Sequence, residues 1–189
     1  MDTTIIYVHP SPTSFNHAIL SSIVSHVESK KKSVKLIDLY QDNFDPVLNN
    51  NDLTHYNSGN TTDPLVKKYQ GYLTQTSELV IIAPIWWYEL PAMFKGFLDK
   101  VLLVNFAFKE TNDGIKGLLS HIKKTTLITT SGSKTKFMGD YINDILIKKT
   151  FSAIGIKQVT HYNLGDADNL DTKQKQVFIE KIMTHFSQH

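Results

Sequence analysis

The sequence predicts an α/β protein built on a doubly wound sheet of five parallel strands. Three observations carry this reading. Short apolar runs recur along the chain, amphipathic helical stretches lie between them, and the runs are continuous rather than alternating between apolar and polar residues. Continuous apolar strands belong to parallel sheets covered by helices on both faces. Strand and helix in strict succession call for right-handed crossovers.

Thr4 to Val8 (TIIYV) is the first strand. Asn16 to Ser29 follows as a helix, because Leu20, Ile23, Val24 and Val27 recur at helical spacing. Val34 to Leu39 (VKLIDL) is the second strand. Asp42 to Asp63 is rich in Asn, Asp, Thr and Ser; it is too polar for core and reads as an irregular surface excursion or site rim. Pro64 to Thr76 is a helix, Leu79 to Ile85 (LVIIAPI) the third strand, and Pro91 to Val104 a helix opened by a proline suited to a first turn. Thr125 to Thr129 is the fourth strand, Asp140 to Ile154 a helix, and a weaker fifth strand lies around Lys157 to His161. In the last helix, Thr172 to Phe186, Val177, Ile179, Ile182, Met183 and Phe186 share a face.

At 189 residues the chain suits one domain, residues 1–189, with no internal repeat or linker-like shift in composition. Its 41% hydrophobic and 20% charged residues are those of an ordinary globular protein. The net charge of +2, with lysines scattered along the chain, does not form the concentrated basic face of a nucleic-acid binder. No apolar run approaches a bilayer span and no leader pattern opens the chain, so a cytoplasmic protein without membrane insertion is expected. Cysteine is absent, which excludes thiolate metal sites and cysteine nucleophiles. All 20 basic side chains are lysines, so any anion must be held by ammonium groups, hydroxyls, amides or backbone N–H rather than by guanidinium forks.

In open α/β sheets ligands bind beyond the carboxyl ends of the strands. Three segments occupy that position. HPSPTSFNHA, after the first strand, ends at a helix N-terminus, where free N–H groups attract an anion; Thr13, Ser14 and Asn16 are also good helix caps, and His9 can donate from its imidazole or pack under the loop. PIWWYELPAMFKG places Trp86, Trp87 and Tyr88 at the end of a buried strand, where aromatics line sites for flat ligands. Neighbouring side chains on an extended segment point to opposite sides, so one tryptophan is expected in the core and the other in the cleft. TTSGS, Thr129 to Ser133, supplies small hydroxyls and a glycine that permits close backbone approach. No G-x-S-x-G elbow and no G-x-G-x-x-G follows a strand, which argues against a hydrolase or a plain dinucleotide fold. His185 and His189 are spaced like a metal pair, but at a solvated chain end, and no metal is expected.

Together these segments resemble the flavodoxin-like NAD(P)H:quinone oxidoreductases, a family that includes the mammalian quinone reductases and the bacterial ancillary proteins of potassium efflux systems. The resemblance rests on HPSPTSFNHA, on PIWWYELPAMFKGFLDKVL with its Pro-x-x-Trp-x-x-x-Pro-Ala-x-x-Lys-Gly pattern, and on NFAFK and TTSGS. It implies a flavodoxin-like strand order 2-1-3-4-5 and a bound flavin, FMN for so short a chain, with FAD as the alternative. It implies that His9, Ser14, Phe15, Asn16 and Ala18 surround the flavin phosphate. Pro84, Ile85, Trp86, Trp87 and Tyr88 would run along the isoalloxazine, and Thr129, Thr130, Ser131 and Gly132 would meet its other side. Phe106 and Phe108 match aromatics of the acceptor pocket, near a homodimer interface to which the run VLLVNFAF is suited. Phe137 stands where the mammalian enzymes carry a tyrosine, and their partner histidine has no counterpart. Charge on the flavin N1/O2 edge would then fall to backbone N–H groups of Ser131 to Ser133, or to Lys134 or Lys136. The implied activity is two-electron, ping-pong reduction of a quinone-like acceptor by NAD(P)H. The alternative is a non-enzymatic flavoprotein, an electron carrier or a transporter's regulatory subunit; +2 is unlike the acidic surface of a carrier.

Overall fold

The computed structural model describes residues 2–187. In chain order its elements are β1 (Thr3–Tyr7), α1 (Phe15–Ser29), β2 (Val34–Asp38), α2 (Asn50–Tyr56), α3 (Pro64–Gln75), β3 (Glu78–Pro84), α4 (Ala92–Val101), β4 (Phe108–Thr111), β5 (Gly114–Gly117), β6 (Lys124–Thr130), a π-helix (Ile142–Phe151), β7 (Val159–Leu164) and α5 (Thr172–Ser187). The main sheet is parallel with order β2-β1-β3-β6-β7, the expected 2-1-3-4-5 winding. Among the described residues no helix is long and apolar enough to cross a membrane.

The pleat sorts each strand's side chains onto two cores. Ile6 and Val8, with Leu79, Ile81 and Leu127, face a layer formed by α3, α4 and the π-helix. Ile5 and Tyr7, with Val80, Ile82 and Ile128, face α1 and α5 through Ile19, Ile23, Phe178 and Ile182. Each fully buried aliphatic chain contributes about 1.5–3 kcal/mol by leaving water. Because both faces are covered, the three central strands are buried almost throughout, β1 and β3 with mostly apolar residues and β6 with threonines around Leu127 and Ile128. The edge strand β7 is only half-buried, its sequence VTHYNL is mostly polar, and it begins two residues later and ends three residues later than the sequence suggests. Pairing with β6, from Thr125↔Val159 to Thr130↔Leu164, decides its limits rather than hydrophobicity.

Three regions depart from the sequence expectation. The polar excursion contains α2, started by a capping box in which Asn49 accepts from the Asp52 N–H and Asp52 accepts from the Asn49 N–H. After α4, which stops at Val101, a two-stranded antiparallel hairpin, β4–β5, turns through Asn112-Asp113 with Gly114 at φ 112°. The segment foreseen as an ordinary helix from Asp140 winds as a π-helix instead.

The excursion is fastened to α4 by Lys100, 5% exposed. Its ammonium lies 3.4 Å from both Asp52 and Asp63, donates to the Asp45 carbonyl at 3.1 Å and stands over the Phe44 ring. Asp52 belongs to the α2 capping box and Asp63 caps α3, accepting from Leu65 at 2.8 Å, so one cation joins two helix starts. Gly96 permits this docking: a Cβ there would meet the Pro46 carbonyl at 2.3 Å. Removing one partner of a buried ion network costs about 3–5 kcal/mol. Lys100→Met should therefore lower the unfolding temperature by roughly 6–20 °C in a thermal melt, at about 2–4 °C per kcal/mol for this chain length; a melt within about 2 °C of wild type would show the network to be energetically idle.

Candidate functional site

The carboxyl ends of β1, β3 and β6, with the residues after β7, enclose a crevice of about 310 Å³. It gathers His9, Ser14, Phe15 and Asn16 from the first segment, Pro84, Ile85 and Trp86 from the second, and Thr130, Ser131 and Gly132 from the third. Sheet register makes this meeting possible. Pro84 pairs with Thr130, the Ile85 N–H continues the ladder to the Thr130 carbonyl at 2.7 Å, and the Ser131 N–H continues it to Leu164 at 2.9 Å. Three separate loops therefore leave the sheet at nearly one level.

At one end of the crevice α1 begins. Ser14 caps it, accepting from the His17 N–H at 3.2 Å, while Tyr7 at the end of β1 holds the same hydroxyl at 3.2 Å. The N–H groups of Phe15 and Asn16 have no intramolecular acceptor among the described residues, as expected of a first helical turn. The Ser11 N–H donates to His9 Nδ1 at 3.0 Å, which places the imidazole proton on Nε2. Burial holds the His9 pKa below its ordinary value, so the ring is a neutral donor at pH 7. Asn16 is 3% exposed; its Nδ2 donates across to Thr130 Oγ1 at 2.8 Å and its Oδ1 has no partner. A buried acceptor left unpaired costs about 1–3 kcal/mol, so it marks a place built for a donor, a hydroxyl or N–H, from outside the chain. This donor-rich end, with one orphaned acceptor beside it, fits the phosphate and polyol of a flavin.

The sequence expectation of one core tryptophan and one cleft tryptophan is not met. Trp86 lines the crevice at 45% exposed, with its ring 6.1 Å from that of His9, and Trp87 is 94% exposed. The reason is a tight turn: Trp86 and Glu89 exchange backbone hydrogen bonds at 2.9 and 3.2 Å, and Trp87 and Tyr88 both take positive φ, 52° and 67°. That is a type I′ geometry, which favours Asn-Gly and places two large aromatics under strain.

Five other expected residues lie elsewhere. Ala18 is exposed on α1 outside the crevice lining, since the helix turns it away after its first turn. Thr129 is wholly buried behind the lining, because alternation on β6 sends it to the opposite face from Thr130. Phe106 and Phe108 pack against the core beside the β4–β5 hairpin rather than against the crevice. Phe137 is 64% exposed on a short 3₁₀ turn, under the Lys136 ammonium at 4.9 Å. Lys134 lies 3.9 Å from Asp166. In contrast, the Gly132 and Ser133 N–H groups have no intramolecular acceptor among the described residues. Of the terminal histidine pair, His185 packs its ring against Tyr162 and Phe186, and His189 lies outside the described residues.

The structure also adds Ala167, Asp168 and Lys175 to the crevice wall. They come from the turn after β7 and the first helical turns of α5. Lys175, the only lysine lining the crevice among the described residues, stands 5.9 Å over the Phe15 ring. No local pattern marks these residues, because they join the site only through the return of the chain after the edge strand.

A family model described as "Flavodoxin-like fold" matches residues 1–186. The chain is 31% identical over 185 residues to an uncharacterized NAD(P)H oxidoreductase of Haemophilus influenzae, covering 95% of this chain and 91% of that protein. It is 28% identical over 151 residues to NAD(P)H dehydrogenase [quinone] 1 of Rattus norvegicus, covering 70% of this chain and 54% of the rat protein, so it spans about half the rat protein's length. A crystal structure from Streptococcus mutans superposes with a TM-score of 0.84 at 31% identity, covering 96% of both chains. The FMN-dependent NADH-azoreductase of Bacillus anthracis, solved in complex with FMN, superposes with a TM-score of 0.78 at 19% identity over 99% of this chain and 98% of that one.

Strain at the aromatic turn gives a direct expectation. Replacing Trp87-Tyr88 by Asn-Gly should raise the stability of the flavin-free protein by about 1–2 kcal/mol, since both residues then suit positive φ. Chemical denaturation checks this, and an unchanged or lower midpoint would show the turn to be unstrained.

Proposed function

The chain belongs to the flavodoxin-like family, and from that premise we propose that it is a flavin-dependent NAD(P)H oxidoreductase reducing quinone-like acceptors. The observation that carries this is the crevice itself, whose lining brings the free first-turn amides and the orphaned Asn16 Oδ1 together with Trp86 and the free amide of Gly132. FMN is the cofactor this reading favours; the FMN held by the Bacillus anthracis neighbour supports it.

Flavin, when bound, supplies the chemistry: it takes a hydride from the nicotinamide and delivers it to the acceptor. The chain's residues bind and orient. The Phe15 and Asn16 N–H groups, the His9 Nε2–H and the Ser14 hydroxyl would hold the phosphate, with Lys175 offsetting its charge. Asn16 Oδ1 would accept from a ribityl hydroxyl. Trp86 gives one wall of stacking area and excludes water from it. The Gly132 and Ser133 amides are fixed dipoles aimed where negative charge develops, a role that Lys134, beside Asp166, and Lys136, over Phe137, do not take. No side chain is needed as an acid or base.

Because donor and acceptor would use one open slot in turn, kinetics should be ping-pong, with parallel double-reciprocal lines for NADPH and a soluble quinone. Asn16→Leu should weaken FMN binding to the flavin-free protein about tenfold, ~1.4 kcal/mol. Protein that takes up neither FMN nor FAD, or yellow protein that NADH and NADPH fail to bleach, would refute the enzyme reading.

The partner we assign is a second copy of the chain. An apolar groove between α4 and the π-helix, lined by Leu90, Phe94, Leu98, Ile142 and Leu146, opens beside exposed Tyr141 and Ile145. Apolar surface of this kind supports an interface. Light scattering should give twice the chain mass for wild type and a monomer for Ile145→Lys; a monomeric wild type removes this assignment.

A further inference from the structure

The loop after β6 presents the two amides that the proposed function uses, yet every residue from Gly132 to Phe137 is exposed and none is in regular sheet. Something must hold it. Its carbonyls are taken up from the far side: the Ala167 N–H donates to Ser131 at 2.9 Å, the Asp166 N–H donates to Ser133 at 3.0 Å, and the Ser131 hydroxyl also donates to Ser133 at 2.9 Å. With the Ser131 carbonyl turned toward the turn after β7, the Gly132 N–H on the other side of the same peptide plane is left facing away from it, and the Ser133 N–H has no intramolecular acceptor among the described residues.

Asn163 on β7 sits at the hub of this arrangement. Its Nδ2 donates to Thr135 Oγ1 at 2.9 Å and lies 3.4 Å from Ser131 Oγ, so one amide reaches both ends of the loop. Its Oδ1 accepts from the wholly buried Thr129 hydroxyl at 2.9 Å. The same hydroxyl lies 2.8 Å from His161 Nε2. Burial lowers the His161 pKa, so the ring is held toward its neutral form. His161, Thr129, Asn163 and Thr135 thus form one continuous hydrogen-bonded chain, in which the Asn163 amide engages a hydroxyl on either side. Two residues on, a Cβ at Gly165 would stand 2.3 Å from the Thr135 N, so the turn lies flush against the loop.

We propose that Asn163 is a positioning residue: by joining Thr129 to Thr135 and Ser131 it sets the direction of the Gly132 and Ser133 amides, and through them the preference of the site for reduced over oxidised flavin. This rests on the oxidoreductase reading. An electrostatic site acts by preorganised dipoles, and a loop free to turn its amides into water loses that effect without losing the crevice. Asn163 does not itself line the crevice; its influence runs through Ser131 and the loop.

The test compares Asn163→Val, Thr135→Val and the double variant with wild type, all loaded with FMN, by spectroelectrochemical midpoint potential and by titration of flavin-free protein with oxidised FMN. Each single variant should lower the reduced-over-oxidised binding preference about tenfold, ~30 mV for a two-electron couple. Affinity for oxidised FMN should move less than threefold, and the double variant should match Asn163→Val, because that substitution already removes the Asn163–Thr135 hydrogen bond that Thr135→Val breaks. Unchanged potentials, or a double variant showing the sum of the two shifts, overturn the proposal. Thr135 lies on an exposed loop and carries the test alone should the strand substitution prevent folding. Wild-type protein that retains neither FMN nor FAD overturns the oxidoreductase reading itself and this proposal with it, whereas wild type with a measurable potential and indifferent variants overturns only the role of Asn163.

Discussion

The parallel register of β1, β3 and β6 is the constraint on which the rest of the molecule depends. In a parallel sheet all strands end at the same edge, and each chain must leave that edge through a loop before returning by a helix. The ladder runs one residue past the strands, through Ile85 to Thr130 and Ser131 to Leu164, and then stops. Beyond that line, backbone groups must find partners elsewhere or remain available. Among the described residues, the amides at Phe15, Asn16, Gly132 and Ser133 are among those that remain. The site is thus the unpaired margin of an otherwise satisfied sheet.

The three loops at this margin solve different physical problems. The first needs no glycine, because the start of α1 already supplies free donors and Ser14 fixes where the helix begins. The second stores strain, holding Trp87 and Tyr88 at positive φ between Trp86 and Glu89 so that Trp86 faces the crevice. The third is exposed and would be loose by itself, but side chains of the half-buried edge strand and the backbone of the following turn hold it from behind. Rigid, strained and clamped loops can share one crevice because the strands beneath them are joined in one hydrogen-bonded register.

Opposite the crevice loops, the polar excursion is tied down by a different device. Lys100 is carried inward by α4 and meets carboxylates that already cap α2 and α3, so a single buried cation does for two helix starts what apolar contacts do for the core. A buried ammonium is tolerated only with this many partners. Its placement leaves Lys175 as the cation of the crevice, an economy forced on a chain that has no arginine.

Much of this was legible in the residues themselves. Unbroken apolar strands and periodic helices determined the winding of the sheet, and the loop compositions marked three of the segments that meet, because strand burial and helix periodicity are local properties. What local pattern could not decide was anything set by a neighbour distant in sequence. The edge strand β7 takes its limits from β6, the hairpin at Phe108–Gly117 and the capped α2 are short and polar, and the direction of Trp86 against Trp87 follows from a turn whose strain opposes residue preference. Asp168 and Lys175 at the crevice, and Asn163 behind its third loop, are ordinary residues in sequence. They acquire meaning only when the chain, having crossed the sheet to its far edge, turns back over the strand ends, and that return is decided by tertiary packing alone.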